Sequence, residues 1–420
     1  MATTTRKPRR SKDGAYLPGM APQVSRLCHE LAEFRDFGKE TLMGEHDCEG
    51  VRVPVFENEF WTAKQREGHS LHEISYRACF KPSLPAFFIK RFTAPGEAVY
   101  DPFMGRGTTL IEAGLMGRVP VGNDVNPLCA VLAAPRVQPP APMDVEARLE
   151  QLPLDKKAEV DEELLVFYHP DTLREIASLR AYFTERRKKK KFDAVDAWLQ
   201  MVATNRLTGH SKGFFSVYTL PPNQATTVAA QKRINEKRQQ VPEYRDTRAI
   251  LRKKSRSLLS DPLPENMPAP SLHVGSAAHT PGIASDSIAL VVTSPPFLNV
   301  VQYKVDNWLR AWFCDVALDQ VDVWEFRKLS DWAEAMTAAF IELKRILRPG
   351  GIVAFEVGEI QKGTLKLEET VVHVARATGL VPECIMINTQ DFTKTSNCWG
   401  ISNMTHGTNS NRIVVLRKPE

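Results

Sequence analysis

At 420 residues, 43% of them hydrophobic, the chain can bury full-sized cores, which excludes a small module stapled by disulfides or metal. Seven cysteines (Cys28, Cys48, Cys79, Cys129, Cys314, Cys384 and Cys398) form no C-x-x-C pair, which argues against a zinc site or disulfide framework and fits a reducing, cytoplasmic setting. The net charge is a mild +5, no apolar run approaches the ~18 residues of a membrane span, and the basic start, Thr3 to Lys12, reads as a disordered arm without the hydrophobic centre of a secretory signal.

Residues 1–69 read as this arm and a leading segment. Over residues 70–136 the pattern becomes strand, glycine-rich turn, helix, strand. Ala98-Val99-Tyr100 leads into Asp101-Pro102-Phe103-Met104-Gly105-Arg106-Gly107-Thr108-Thr109, then Leu110 to Met116 with helical spacing, then Val119 to Asp124. Glycines between a strand and a helix let the backbone turn sharply and approach a ligand closely. The six-residue dinucleotide fingerprint is not met, because Thr108 and Thr109 occupy the region of its third glycine. Asp124 ends the next strand about 17 residues beyond Gly107, placed to accept hydrogen bonds from ribose hydroxyls. The pair implies a nucleoside-containing cofactor.

A Pro-rich stretch, Val137 to Pro142, breaks the pattern, and residues 137–270 read as polar helices with basic clusters. Arg186 to Arg256 holds 18 Lys/Arg against 5 Asp/Glu, a local charge of +13 that leaves −8 for the remainder. Such asymmetry points to a polyanion partner bound by one region, against the plainer reading of a solvated helical face or linker. Two runs suit phosphate contact: Arg186 to Lys191, with Lys188, Lys189 and Lys190, and Gln231 to Arg238, with Lys232, Arg233, Lys237 and Arg238.

From Leu272, across residues 271–420, α/β alternation resumes. The apolar run Ser287 to Val292 reads as a strand that stops at Thr293-Ser294-Pro295-Pro296-Phe297. Two prolines lock φ, remove two donors and leave carbonyl oxygens unpaired at a strand's C-terminal edge, a corner able to hold an amino group. A helix near Asp331 to Leu347, the turn Arg348-Pro349-Gly350-Gly351, a strand Ile352 to Val357 and a helix Glu368 to Thr378 follow. Val381 to Ile387 and Arg412 to Arg417 read as strands pairing at an antiparallel edge, and the two α/β stretches as halves of one sheet.

These motifs together resemble the class I S-adenosylmethionine-dependent DNA amino-methyltransferases. Asp101-Pro102-Phe103-x-Gly105-x-Gly107-Thr108-Thr109 is similar to their cofactor motif and Gly122-Asn123-Asp124-x-Asn126-Pro127 to their ribose-binding acidic motif. Phe80-Lys81-Pro82, opening a segment that runs to Ile89, resembles the motif that closes over the methionine end. Thr293 to Phe297 matches the catalytic motif in the Ser-Pro-Pro form of cytosine-N4 enzymes, rather than the Asp/Asn-Pro-Pro-Tyr of adenine-N6 enzymes. The resemblance covers about half the chain, residues 70–135 and 271–420, with four ordered motifs.

It implies an α/β, Rossmann-like sheet, mostly parallel with an antiparallel edge strand, carrying a helical basic insert. It implies S-adenosyl-L-methionine as cofactor, no metal, and double-stranded DNA as partner, with a cognate restriction endonuclease in a restriction–modification setting. The activity implied is transfer of a methyl group to cytosine N4 of a flipped-out base. Adenine N6, an RNA amino-methyltransferase, and a nucleic-acid-binding protein that has lost the cofactor are the alternatives. An exocyclic amine is a poor nucleophile, so acceptors must polarise its N–H bonds; Ser294 Oγ and the Pro295 carbonyl are the candidates, with Pro296 shaping the corner and Phe297 offering a face for the flipped base. A carbon-5 cytosine enzyme would need a nucleophilic cysteine, typically after proline, and no Pro-Cys dipeptide occurs.

The pattern departs from the family in two places. Gly275-Ser276-Ala277 stands where Gly-Asp is common, leaving Ser276 Oγ or a backbone amide as the substitute contact to the cofactor's adenine, and the cofactor motif precedes the catalytic one, an order permuted from the usual cytosine-N4 arrangement. Within the insert, Gly209 to Tyr218, with His210, Ser211 and Lys212, is suited to enter a groove or fill the flipped base's space; a loop packed on the sheet is the plainer reading.

Overall fold

A computed structural model describes residues 22–48, 50–62, 68–77, 79–155, 157–220, 222–296, 303–358, 366–393 and 406–420. The basic N-terminal tip and Phe297 lie outside the described residues. Helix α1 (Pro22–Glu33) precedes a hairpin of β1 (Leu42–Cys48) and β2 (Val51–Asn58). Next come α2 (Ser83–Phe92), β3 (Ala98–Asp101), α3 (Thr108–Leu115), β4 (Val119–Asp124) and α4 (Pro127–Val137). The insert supplies α5 (Pro142–Gln151), α6 (Pro170–Lys188), α7 (Ala194–Arg206), α8 (Val228–Arg238) and α9 (Thr247–Leu258). The chain continues through β5 (Ser271–Val274), β6 (Ile288–Thr293), α10 (Tyr303–Cys314), α11 (Leu329–Ile346), β7 (Leu347–Gly358), α12 (Leu367–Thr378), β8 (Val381–Thr393) and β9 (His406–Arg417).

All nine strands join one sheet in the order β1-β2-β8-β9-β7-β6-β3-β4-β5. From β7 to β5 neighbours run parallel, while β9 runs antiparallel to both β7 and β8. The antiparallel pair expected at an edge is therefore interior, because β2 pairs parallel with β8 and β1 closes that side. The leading segment thus contributes two strands. Arg348 to Gly351, expected as a turn, lies within β7, beside a register shift against β6.

Strand side chains alternate between two apolar layers, as a sheet covered on both faces requires. Val99, Leu290, Val292, Ile352, Ala354, Ile413 and Val415 pack with Leu27 and Leu31 of α1 and Leu84, Phe88 and Ile89 of α2. Their neighbours Tyr100, Val291, Val353, Phe355, Val414 and Leu416 pack with Trp332, Met336 and Phe340 of α11 and Val371 and Ala375 of α12. The insert leaves after α4 and returns at β5, so the sheet stays continuous, and its helices share a third apolar cluster with α4 and α10 around Phe167, Trp198, Phe215 and Phe313. No described helix is long and apolar enough to cross a membrane.

Candidate active site

β3 and β6 are neighbours, yet the chain runs on from β3 toward β4 and from β6 toward β7. The sheet's order reverses between them, and a crevice forms outside the carboxyl ends of the strands at such a point. A cleft with about 640 Å³ of atom-free space opens there, lined by Phe103 and Gly105 after β3, Asp124 and Asn126 at the end of β4, Ser276 after β5, and Ser294 and Pro296 after β6.

The glycine turn is built by contacts that admit no side chain. Gly107 caps α3 at φ +80°, and a Cβ there would lie 2.7 Å from that of Ala133 in α4. Gly105, at φ +49°, donates its N–H to Asp124 Oδ2 at 3.0 Å, while Asn126 N–H donates to Oδ1 at 2.9 Å. One carboxylate thus fixes both the turn and the start of α4. Burial raises the Asp124 carboxyl above the usual range, opposed by these two amides. Arg136, fully buried in α4, donates to the carbonyls of Arg106, Leu71 (3.0 Å) and Leu132 (2.9 Å), bracing the turn from beneath.

Asp101, 1% exposed, joins the two central strands by accepting from Thr293 Oγ1 at 2.6 Å and from Phe103 N–H at 3.1 Å. Thr109 Oγ1 donates to the Val292 carbonyl at 3.0 Å and ties α3 to β6; Thr108 is buried beside it. Burial pushes the Asp101 carboxyl up to about 7, against the donors Thr293, Phe103 and Thr109. A folded pKa above the unfolded value means the native state holds the proton more tightly. That contribution to stability is complete below the ordinary carboxylate range and is lost as pH rises through about 7. Asp101→Asn is expected to flatten this decline, narrowing its Tm deficit against wild type by a few kcal/mol equivalent from about pH 4 to about pH 7. Parallel Tm-against-pH curves for the two proteins would contradict the assignment.

At the Pro-Pro corner, Ser294 stands beside the buried Glu356, which accepts from Asn411 Nδ2 at 3.0 Å. Burial raises the Glu356 carboxyl above its usual range, and the bonds from Ser294 and Asn411 oppose that rise. The Pro296 carbonyl accepts the indole N–H of the fully buried Trp332 at 3.0 Å, holding the corner against α11, and Pro295 is buried. Ser276 Oγ accepts the Ala278 N–H at 3.2 Å. Asn126 Oδ1 caps α4 by accepting from Leu128 N–H, but its Nδ2 is buried without a partner.

Other expected residues stand elsewhere. Lys81 and Pro82 line a separate cavity with Trp61, Phe87 and Glu112, and Phe80 packs on the α1 layer. Docking of Leu84 and Phe88 onto the sheet turns the start of α2 away from the cleft. Phe214, Phe215 and Val217 are buried, with Phe215 in the insert's core, so the aromatic part of Gly209 to Tyr218 is packing, while His210, Ser211 and Lys212 remain exposed. Arg186 is spent on Asp193 and Asp196 and Arg187 on Gln200. Lys188, Lys190, Lys232, Arg233 and Lys237 are exposed; Lys189 pairs with Glu185, and Arg238, also exposed, lies 3.8 Å from the Tyr218 ring centroid.

Tyr76, Tyr303, Val323 and Trp324 also line the cleft, and sequence reading missed them along with Glu356. Glu356 had a signal, a lone carboxylate inside the apolar run Ile352 to Val357. The others carry none: Tyr76 comes from the segment before α2, and Tyr303, Val323 and Trp324 from α10 and the segment after it.

Sheet order and site together define the class: an α/β protein with a Rossmann-like, mostly parallel sheet and a cleft at its switch point. Residues 47–133, about a fifth of the chain, match the family model described as DNA methylase. A 70-residue stretch is 37% identical to the Type II methyltransferase M.MjaII of Methanocaldococcus jannaschii, covering 17% of this chain and 13% of that protein. Among solved structures, a TehB-like SAM-dependent methyltransferase from Corynebacterium glutamicum aligns over 80% of this chain and 86% of its own at 10% identity and a TM-score of 0.31. TrmN from Thermus thermophilus aligns over 83% and 51% at 10% identity and a TM-score of 0.32.

Proposed function

We propose that the chain is an S-adenosylmethionine-dependent DNA methyltransferase acting on an exocyclic amine, with cytosine N4 as its target. The observation that carries this reading is the placement of Ser294 at the carboxyl end of β6, lining the cleft with Gly105 and Asp124 and with the buried Glu356 beside it. A serine hydroxyl carries two lone pairs, so Ser294 Oγ in the cleft can act as an acceptor for an amino group while Glu356 takes its proton. The DNA methylase match over residues 47–133 and the Type II methyltransferase relative support DNA as the substrate, and the serine of Ser294-Pro295-Pro296 supports cytosine N4.

The residues present fit the cofactor. Gly105 lines the cleft at a positive φ that favours glycine, Asp124 can accept from ribose hydroxyls, and the orphaned Asn126 Nδ2 can donate to a nucleoside oxygen or ring nitrogen. When bound, S-adenosylmethionine supplies an electrophilic methyl group on a sulfonium. Ser294 accepts an N–H of the target amine and draws density onto its nitrogen as attack begins. The amine proton released by methylation passes to Ser294 Oγ as the serine proton moves to Glu356, whose raised pKa suits it to receive one. Direct transfer needs no covalent enzyme intermediate, so positioning carries most of the acceleration.

Duplex DNA is brought to the cleft by the insert. The start of α8 is tied to α10 by Ala225 N–H on the Asp306 carbonyl (2.9 Å) and Trp308 Nε1 on the Thr226 carbonyl (3.2 Å), and α10 begins at the cleft residue Tyr303. This tie of the start of α8 to the helix that begins at the cleft supports α8 as the carrier of the DNA contacts. Replacing Lys232, Arg233, Lys237 and Arg238 together by alanine is expected to weaken DNA binding at every sequence and flatten the log–log salt slope by roughly 2 to 4. Unchanged affinity and slope in titrations across salt concentrations would remove α8 from the interface. The modified base itself is tested by nucleoside mass analysis of treated plasmid.

A further inference from the structure

Tyr218, 38% exposed, stands in the insert between the buried Val217 and Thr219, and an amide cluster holds its backbone. Its carbonyl accepts from Gln231 Nε2 at 3.0 Å and from Gln240 Nε2 at 2.9 Å. Both amides also donate to Asn235 Oδ1, at 2.7 and 2.8 Å, and Asn235 Nδ2 donates to the Val166 carbonyl at 2.7 Å. Thr219 N–H closes the loop on the Gly209 carbonyl at 2.9 Å. Burying amides costs free energy unless they are paired, and here the paired donors converge on one residue, so the ring is positioned before any ligand arrives. The Arg238 guanidinium lies 3.8 Å from the ring centroid and backs it from α8. Among the described residues no carboxylate pairs with Lys232, Arg233, Lys237 or Arg238, whereas Arg186, Arg245, Arg252 and Arg256 of the same insert are each matched by one. Unmatched cations beside a fixed aromatic ring suit a polyanion that also offers π faces. Nucleic acid has both, but a base inside a duplex is covered by its neighbours, so the ring can take only an unpaired one.

We propose that Tyr218, backed by Arg238, is a stacking platform for an unpaired base of DNA, with the cations of α8 meeting the phosphates on either side. This rests on the DNA reading above and adds to it a preference for single-stranded or locally opened DNA over intact duplex. The two contributions differ in kind: stacking releases no counterions, whereas each phosphate contact does and steepens the salt slope. Tyr218 lies outside the residues lining the cleft, so its part is binding.

Fluorescence-anisotropy titrations of the full chain across salt concentrations, with a single-stranded oligodeoxynucleotide, its matched duplex and that duplex carrying a bulged base, separate the two. The wild type is expected to bind the bulged duplex roughly tenfold more tightly than the matched one. Tyr218→Ala should weaken binding to the bulged and single-stranded probes about tenfold with their salt slopes unchanged, leave the matched duplex within about twofold, and be rescued by Tyr218→Trp. Arg238→Gln should instead lower the salt slope by about 1 on every probe. An iododeoxyuridine placed at the bulge should crosslink to Tyr218 on irradiation. Equal wild-type affinities for bulged and matched duplex, a Tyr218→Ala protein that loses every probe alike, or crosslinks confined to other residues would overturn the proposal and leave Tyr218 a loop residue. If the wild type binds none of the probes, the DNA reading itself falls, a result distinct from loss of discrimination.

Discussion

Ser294→Ala is expected to lower turnover by about 100- to 1,000-fold while S-adenosylmethionine affinity stays within a few-fold of wild type. The split follows from where the hydroxyl stands. Ser294 follows β6 with Glu356 beside it, whereas the glycine turn, Asp124 and Asn126 stand at the ends of β3 and β4 and do not use its hydroxyl. An acceptor that strengthens only as the amine loses density to the incoming methyl group acts in the transition state and contributes little to ground-state binding. Glu356→Gln gives a companion result. Its amide oxygen can still accept from Ser294 but cannot take the proton, so turnover should fall by about tenfold and the acid limb of the pH profile should disappear. That limb arises because Glu356, with its pKa raised by burial, loses acceptor capacity as pH falls through that value. Calorimetry with single-turnover kinetics separates the two terms. Equal loss of binding and turnover in Ser294→Ala would argue that the serine merely holds the corner together.

Asp124→Ala should show the reverse pattern: cofactor affinity falls by about 100-fold or more, while turnover at saturating cofactor stays within about tenfold. The substitution removes three things at once. Gly105 and Asn126 lose the acceptor for their N–H groups, and a bound ribose loses its carboxylate. A hydrogen bond to a charged group contributes about 1.5–3 kcal/mol, so loss of one such bond and loosening of the turn reach that magnitude together. Asp124→Asn, which keeps one acceptor oxygen, should fall between the two. A variant with unchanged cofactor affinity and lost turnover would move Asp124 from binding to chemistry.

Much of this architecture was legible in the sequence because its elements carry local signals. The strand endings at Asp101, Asp124 and Thr293 are marked by a glycine turn, an Asp-x-Asn-Pro cap and a Pro-Pro stop. Register was not legible. The β1–β2 hairpin joins the sheet through β8, more than 300 residues away, and no local pattern encodes such a pairing. Charge was read too evenly as well: Arg186 and Arg187 look like the lysines that follow them, but they are engaged within the insert by Asp193, Asp196 and Gln200. Aromatic residues were hardest to read. Phe215 went to the insert's core, while Tyr303 and Trp324, in segments without a motif, came to line the cleft.

The central claim is methyl transfer to an exocyclic amine of DNA, and one measurement bears on it most directly. Plasmid from a methylation-deficient host, treated with the purified chain and S-adenosylmethionine, is digested to nucleosides and analysed by mass spectrometry, with the Ser294→Ala protein as control. The account predicts N4-methylcytosine that depends on cofactor and on Ser294; 5-methylcytosine, or no methylated nucleoside from a chain that binds both cofactor and DNA, would contradict it.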